Sequence, residues 1–132
     1  MISNLIEIKY ISQKKGKGIF AKEFIEKGTI IDIAHVLLIP EKDYFLIENT
    51  MLGNYLFNWE DPQDNSEYKT AILMSFCEFV NHSYNPNCTY EKNYQERYIK
   101  FYAIRDIQAG EELTVNYNGI VDDKSPVWFE TE

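Results

Sequence analysis

Apolar and polar residues alternate along much of this chain with a period of two, which is the signature of half-buried strands. Over Leu5–Tyr10 the residues Ile6, Ile8 and Tyr10 share one face, so a strand is predicted there. Gly16-Lys17-Gly18 reads as a turn leading into a short strand at Ile19-Phe20-Ala21, and Lys27-Gly28 as a second turn before the apolar run Thr29–Ile39. Pro40 stands where a short helix can start, running to about Asn49, since its missing N–H and fixed φ suit a first helical turn. Gly53-Asn54 breaks the chain, and Tyr55, Phe57 and Trp59 alternate as another strand candidate. Glu60–Glu67 is polar and acidic, hence a surface loop. Thr70–Val80 is mostly apolar and fits a short helix or a buried strand equally well. Asn81–Asn87 is rich in turn formers, Tyr98–Ile104 alternates well, Arg105–Gly110 is a turn and Glu112–Tyr117 a last strand. Many short strands, frequent turns and little helix define a mainly β protein.

Composition narrows the function classes. The 132 residues suffice for one core and fall short of two, so residues 1–132 are expected to form a single domain with an aromatic tail over 118–132. The formal net charge of −8 does not suit a direct nucleic-acid partner, which needs a basic face. It suits a partner rich in Lys and Arg, or it simply keeps the chain dispersed. Cys77 and Cys88 form no C-x-x-C pair, and with only His35 and His82 besides, no metal site is expected. Ile30–Ile39 is interrupted by Asp32 and His35, which argues against a membrane span. Glu7 sits where a signal peptide would be apolar, so cytoplasmic residence is the default expectation, with delivery to a host cell or nucleus open.

Four segments, in order, carry the chemistry. They are Lys15-Gly16-Lys17-Gly18-Ile19-Phe20-Ala21; Ile25-Glu26-Lys27-Gly28-Thr29-Ile30; Phe79-Val80-Asn81-His82-Ser83-Tyr84-Asn85-Pro86-Asn87-Cys88; and Ala103 through Gly110-Glu111-Glu112-Leu113-Thr114-Val115-Asn116-Tyr117. The first two are common turns. The Asn-His-Ser-x-x-Pro-Asn segment followed by Gly-Glu-Glu-Leu-Thr-x-x-Tyr is highly specific. Together they resemble the SET-domain family of protein lysine methyltransferases, in its compact, zinc-free form, from about Gly16 to Tyr117. The resemblance implies a β-clip of small sheets with few short helices, in which the Asn-His-Ser and Glu-Leu-Thr…Tyr segments cross in a knot-like arrangement. It also implies S-adenosylmethionine on one face, a peptide on the other, and a narrow lysine channel between.

The chemistry that the family performs explains why such residues are needed. Methyl transfer from a sulfonium to an amine is an in-line displacement, so donor and acceptor must be aligned and the amine must have lost its proton. A tight aromatic channel desolvates the ammonium and fits the methylated cation. Tyr117 matches the family's catalytic tyrosine, against the alternative of an ordinary strand-end residue. Asn81 and His82 match its cofactor-contacting pair, against a satisfied histidine in a turn. Gly16, Lys17 and Gly18 match a loop whose backbone approaches the cofactor, or they form only a tight turn. Tyr90, two residues after Cys88, matches a channel-lining tyrosine, or a cross-strand aromatic. In the tail, Trp128 matches an aromatic that packs over the adenine and Phe129 lies beside it at the channel; both could equally anchor the C-terminus.

The chain departs from the family pattern at several points. Tyr84 stands where many members carry a zinc-binding cysteine, Val115 and Gly119 where aromatics are frequent, and Asn116 where Asp is common. The channel must therefore draw aromatics from elsewhere, with Tyr55 the first choice beside Tyr90 and Trp128. The expected substrate is a lysine in a basic protein segment such as a histone tail, steered by the acids around Asp61, Asp64, Glu67, Asp122 and Asp123. The competing readings are a catalytically silent SET-fold module that binds peptide or cofactor, and an interaction module that pairs with itself, as a homodimer, through sheet edges.

Overall fold

The computed structural model describes residues 4–62 and 67–127. Two small curled sheets organise it. In the first, β1 (Ile6–Ser12) pairs antiparallel with β2 (Gly16–Ala21), and β2 with β9 (Glu112–Val115); β9 then takes β6 (Asn81–His82) in parallel, with Asn81 opposite Thr114 and His82 opposite Val115. The second has the order β4 (Phe57–Asn58), β5 (Tyr68–Leu73), β3 (Ile30–Pro40), β8 (Tyr98–Ala103), β7 (Cys88–Asn93), each pair antiparallel. The one α-helix among the described residues, α1 (Glu41–Ile47), starts after Pro40 and carries Glu41 and Asp43 in its first turn, where acids meet the positive end of the helix dipole.

The core lies between the sheets. β8 buries Ile99, Phe101 and Ala103 on alternate positions, β9 buries Leu113 and Val115, and Ile6, Ile19, Ala21, Ile31 and Leu73 complete the cluster with Cys77 and Cys88. Asn87 ties the sheets from within. It is buried, accepts from Thr114 N–H at 2.9 Å, and donates to the Glu112 carbonyl at 2.8 Å. The Asn81–Asn87 segment is thus clamped along β9 rather than looping free, as the expected crossing requires.

Three local expectations are corrected. Gly16–Gly18 is not a turn but the start of β2; the turn falls on residues 13–15. Gly18 is needed inside the strand because a Cβ there would lie 2.6 Å from Glu112 Oε2 and 2.9 Å from Asn81 Nδ2. Tyr55 belongs to a 3-10 helix, Met51–Tyr55, and the strand after it is only Phe57–Asn58. Local bonds capture it: Gly53 N–H donates to the Thr50 carbonyl, and Thr50 Oγ1 to that of Ile47. Thr70–Val80 divides into β5 and a second 3-10 helix, Phe76–Phe79, because Ser75 caps the latter by accepting from Cys77 N–H while donating to the buried Asp32. After Pro86 the chain enters β7; its Cys88 and Tyr90 face inward, and Glu91 bonds Lys100 across the pair at 3.3 Å.

Candidate active site

The site forms where β6, the start of β2 and the chain just after β9 converge. Asn81 spends both amide hydrogens inside the protein, on the Lys17 carbonyl at 3.2 Å and Glu112 Oε2 at 2.8 Å, and so fastens β2 to β6 and β9. The strand Gly16-Lys17-Gly18 is therefore held with its backbone beside Asn81. Lys17 lays its ammonium 5.7 Å from the centre of the Phe79 ring. His82 accepts from Tyr117 N–H through Nδ1 at 3.0 Å. A nitrogen that accepts carries no hydrogen, so the imidazole is neutral with its hydrogen on Nε2. Burial lowers its pKa in the same sense.

Tyr117 donates its hydroxyl to the Val80 carbonyl at 2.5 Å. Burial pushes its pKa up strongly, and the nearby acid Glu78 adds to this. The Tyr55 hydroxyl comes close to the start of β2, where a Cβ on Gly16 would stand 4.0 Å from it. Tyr55 stands edge-on to Phe79 with centroids 6.2 Å apart. Tyr90 packs on Phe101 at 5.5 Å and edge-on to Phe57 at 6.0 Å, and burial raises its pKa too. At Gly119, φ is +83° and a Cβ would stand 3.7 Å from the Tyr90 hydroxyl, so this departure from the aromatic pattern leaves the hydroxyl room.

The structure thus gathers Gly16, Lys17, Gly18, Tyr55, Asn81, His82, Tyr90 and Tyr117 around one place. Trp128 and Phe129, and with them the adenine-stacking expectation, lie outside the described residues, as does Asp64. Residues that the sequence pattern did not single out complete the surroundings. Glu112 holds Asn81, and Glu78 lies near Tyr117. Tyr84 meets His82 edge-on at 4.3 Å and donates to the Ser125 carbonyl at 2.8 Å. Asn118 donates to the same carbonyl, and Lys124 to the Tyr84 carbonyl. Tyr84, donating through its hydroxyl and accepting through its carbonyl, thus fastens the segment after Tyr117. Asn116 has an equally specific reason: buried, it donates to the carbonyls of Val121 and Asp123 at 3.3 and 2.6 Å and accepts from Asn118 N–H, and an aspartate could not donate.

The residues present fit a sulfonium cofactor. A neutral His82 puts no positive charge beside it, and the aromatic rings offer electron-rich faces. Among the described residues no group of three or more metal ligands is found, and no helix is long and apolar enough to cross a membrane.

A two-sheet fold in which an Asn-His segment runs parallel to the strand before a half-buried tyrosine defines a class. The SET domain family matches residues 16–118, and this chain belongs to it. It is accordingly an S-adenosylmethionine-dependent protein-lysine methyltransferase. The histone-lysine N-methyltransferase, H3 lysine-37 specific, of Schizosaccharomyces pombe is 31% identical over 122 residues, which cover 92% of this chain and 75% of that protein. The histone-lysine N-methyltransferase, H3 lysine-36 specific, of Mycosarcoma maydis is 50% identical over 116 residues, 81% of this chain but only 11% of that protein. Among solved structures, ctPRC2 in an autoinhibited conformation bound to S-adenosylmethionine matches with a TM-score of 0.69 and 26% identity, over 89% of this chain and 15% of that one.

Proposed function

We propose that this chain methylates a lysine in a basic histone segment, with histone H3 the first candidate. The observation that carries the reading is the convergence of Tyr55, Tyr90 and Tyr117 beside a His82 held neutral. S-adenosylmethionine, when bound, supplies the methyl group from its sulfonium sulfur. Gly16, Lys17 and Gly18 offer their backbone to it, and Asn81 and His82 hold that backbone and its surroundings in place. Tyr55 and Tyr90 line the passage for the lysine and exclude water, which lowers the amine's hold on its proton. Tyr117 orients the amine and the methyl group; its hydroxyl stays protonated and acts as a dipole, not as a base.

The formal charge of −8 supports a basic partner, and the names of the relatives support a histone. Such a substrate would take the chain, read as one SET domain over 1–132, from its cytoplasmic synthesis to a nucleus, its own or a host's. Pairing of two copies is compatible with this, since Phe45, Leu46 and Met51 present exposed apolar surface; sedimentation velocity checks it. The functional test is transfer of labelled methyl groups to a panel of histones and other basic proteins, with Tyr117→Phe alongside. Label on H3 that the variant loses supports the reading. Cofactor binding without transfer to any protein supports the silent module instead, and neither binding nor transfer defeats both.

A further inference from the structure

Beside Tyr55 lies a surface built like a contact face. Helix α1 has no buried residue, although Tyr44-Phe45-Leu46-Ile47 makes it apolar on every side. A helix that is apolar all round belongs inside an assembly. Tyr44 and Ile47 are half-buried, and α1 packs against β3 and β5, but Phe45 and Leu46 stand 61% and 77% exposed. The 3-10 helix Met51–Tyr55 adds exposed Met51 and Leu52. These side chains sit on a fixed support. Thr50 donates to the Ile47 carbonyl through both its N–H, at 3.0 Å, and its hydroxyl, at 2.6 Å. Gly53 packs so closely on the Glu48 carbonyl that a Cβ would collide with it, which folds the 3-10 helix onto the end of α1. Side chains three apart eclipse in a 3-10 helix, so Leu52 shares a face with Tyr55. The apolar surface thus starts at the lysine passage and continues onto α1. Its rim is acidic. Glu41, Asp43 and Glu48 lie on α1 or at its end, and the Glu67 carbonyl accepts from Glu41 N–H at 2.8 Å. Lys42 is the only base between Glu41 and Tyr55.

We propose that α1 and Met51–Tyr55 dock a second segment of the substrate protein, beyond the residues that flank the target lysine, in which apolar side chains alternate with Lys and Arg. The inference rests on the methyltransferase reading above and gives its substrate a second point of contact. Apolar area alone would accept many partners, and the acidic rim selects a basic one. A histone supplies both kinds of side chain. A second copy of this chain fits poorly, because pairing would bring the same acids together on a protein of formal charge −8. The geometry also sets the reach. Three residues of 3-10 helix place Leu52 about 6 Å from Tyr55 along the axis. An extended peptide covers that in about two residues, so one with only two residues on either side of the lysine reaches Leu52 at the farthest. Phe45 and Leu46 lie beyond it and are open only to a longer substrate.

The test compares full-length histone H3 with a peptide of about two residues on each side of the lysine that becomes labelled. Steady-state methylation by the full chain is measured for wild type and for Phe45→Gln combined with Leu46→Gln. On H3 the KM should rise at least about tenfold while kcat stays within about twofold, because binding is lost and the chemistry is not. On the short peptide neither constant should change, which also shows the variant folded. Neutralising the rim with Glu41→Gln, Asp43→Asn and Glu48→Gln should flatten the rise of KM with salt on H3 and spare the peptide. Equal effects on H3 and peptide, or none on either, overturn the docking face and leave the methyltransferase reading intact. An unchanged salt dependence overturns the basic occupant and the proposal with it. A dimer in sedimentation that Phe45→Gln with Leu46→Gln splits gives the face to a second copy, and also overturns the proposal. No transfer by the wild type to any histone overturns the underlying reading together with this inference. Should the double variant not fold, Met51→Gln carries the same comparison, and an H3 KM equal to wild type overturns the proposal.

Discussion

Glu78→Gln should change how stability depends on pH, quite apart from activity. The carboxyl sits at about 8 in the folded chain against an ordinary 4.5, because burial disfavours its charged form and only Leu73 N–H offsets this. The folded state therefore holds a proton that the unfolded state gives up between those values. Below about pH 4.5 the group is neutral in both states and contributes no destabilisation. As pH rises from there to about 8, stability falls by up to about 1.4 kcal/mol per pH unit, and above 8 the loss is complete. Solvent reaching a carboxyl that is not fully enclosed reduces the whole effect to roughly 2–5 kcal/mol. Glutamine keeps the acceptor for Leu73 N–H and nearly the same volume, and it never ionises. Urea denaturation of both proteins across roughly pH 4 to 9 reads the difference, and the many other acids cancel between them. The two should agree near pH 4.5 and diverge steadily, with the variant more stable by a few kcal/mol above pH 8. Equal stabilities at pH 9, or a constant gap at every pH, would refute the account of the carboxyl.

Other perturbations test other parts of the site. Gly18→Ala places a methyl against Glu112 and Asn81 at distances that require both to shift, so calorimetric affinity for S-adenosylmethionine should fall at least tenfold, about 1.4 kcal/mol. Asn116→Asp turns a donor to two carbonyls into a buried acceptor; thermal unfolding should show a loss of about 2–4 kcal/mol, greater at high pH as the new carboxyl ionises. Tyr84→Phe removes the bond to the Ser125 carbonyl at an exposed site, so global stability should change by about 1 kcal/mol or less, while hydrogen exchange and proteolysis at residues 121–127 should speed up.

Much of the site was legible because its motif residues are close in sequence. Asn81, His82 and Tyr117 belong to two unbroken segments, and those segments meet in the fold. The strands with clean alternation, at Leu5–Tyr10, Tyr98–Ile104 and Glu112–Tyr117, formed as expected, and Pro40 did open a helix. What could not be read was set by partners far along the chain. Gly18 looks like a turn residue until Asn81 and Glu112 are seen to fill the space of its side chain. Strand β7 hides in polar residues because its pattern is completed by β8 across the hairpin. Glu78 lies in an apolar stretch that fits a helix or a strand, and only its bond from Leu73 N–H shows how the carboxyl is held. Asn116 and Tyr84 act through carbonyls, which side-chain patterns do not report. The two tail aromatics lie outside the described residues.

The parallel pairing of β6 with β9 has a consequence for how the molecule assembles. The bonds that make the site join residues 31, 35, 37 and 64 positions apart. No local segment can form them early, so loop-closure entropy must be overcome first and folding is expected to be slow for the chain's size. The binding cleft is then among the last things to exist, and a chain with either sheet unformed has no cleft at all. Ligand affinity is linked to the global transition and not to a local one. Each tenfold excess of cofactor over its dissociation constant should raise unfolding stability by a further 1.4 kcal/mol or so, delaying unfolding of the molecule as a whole.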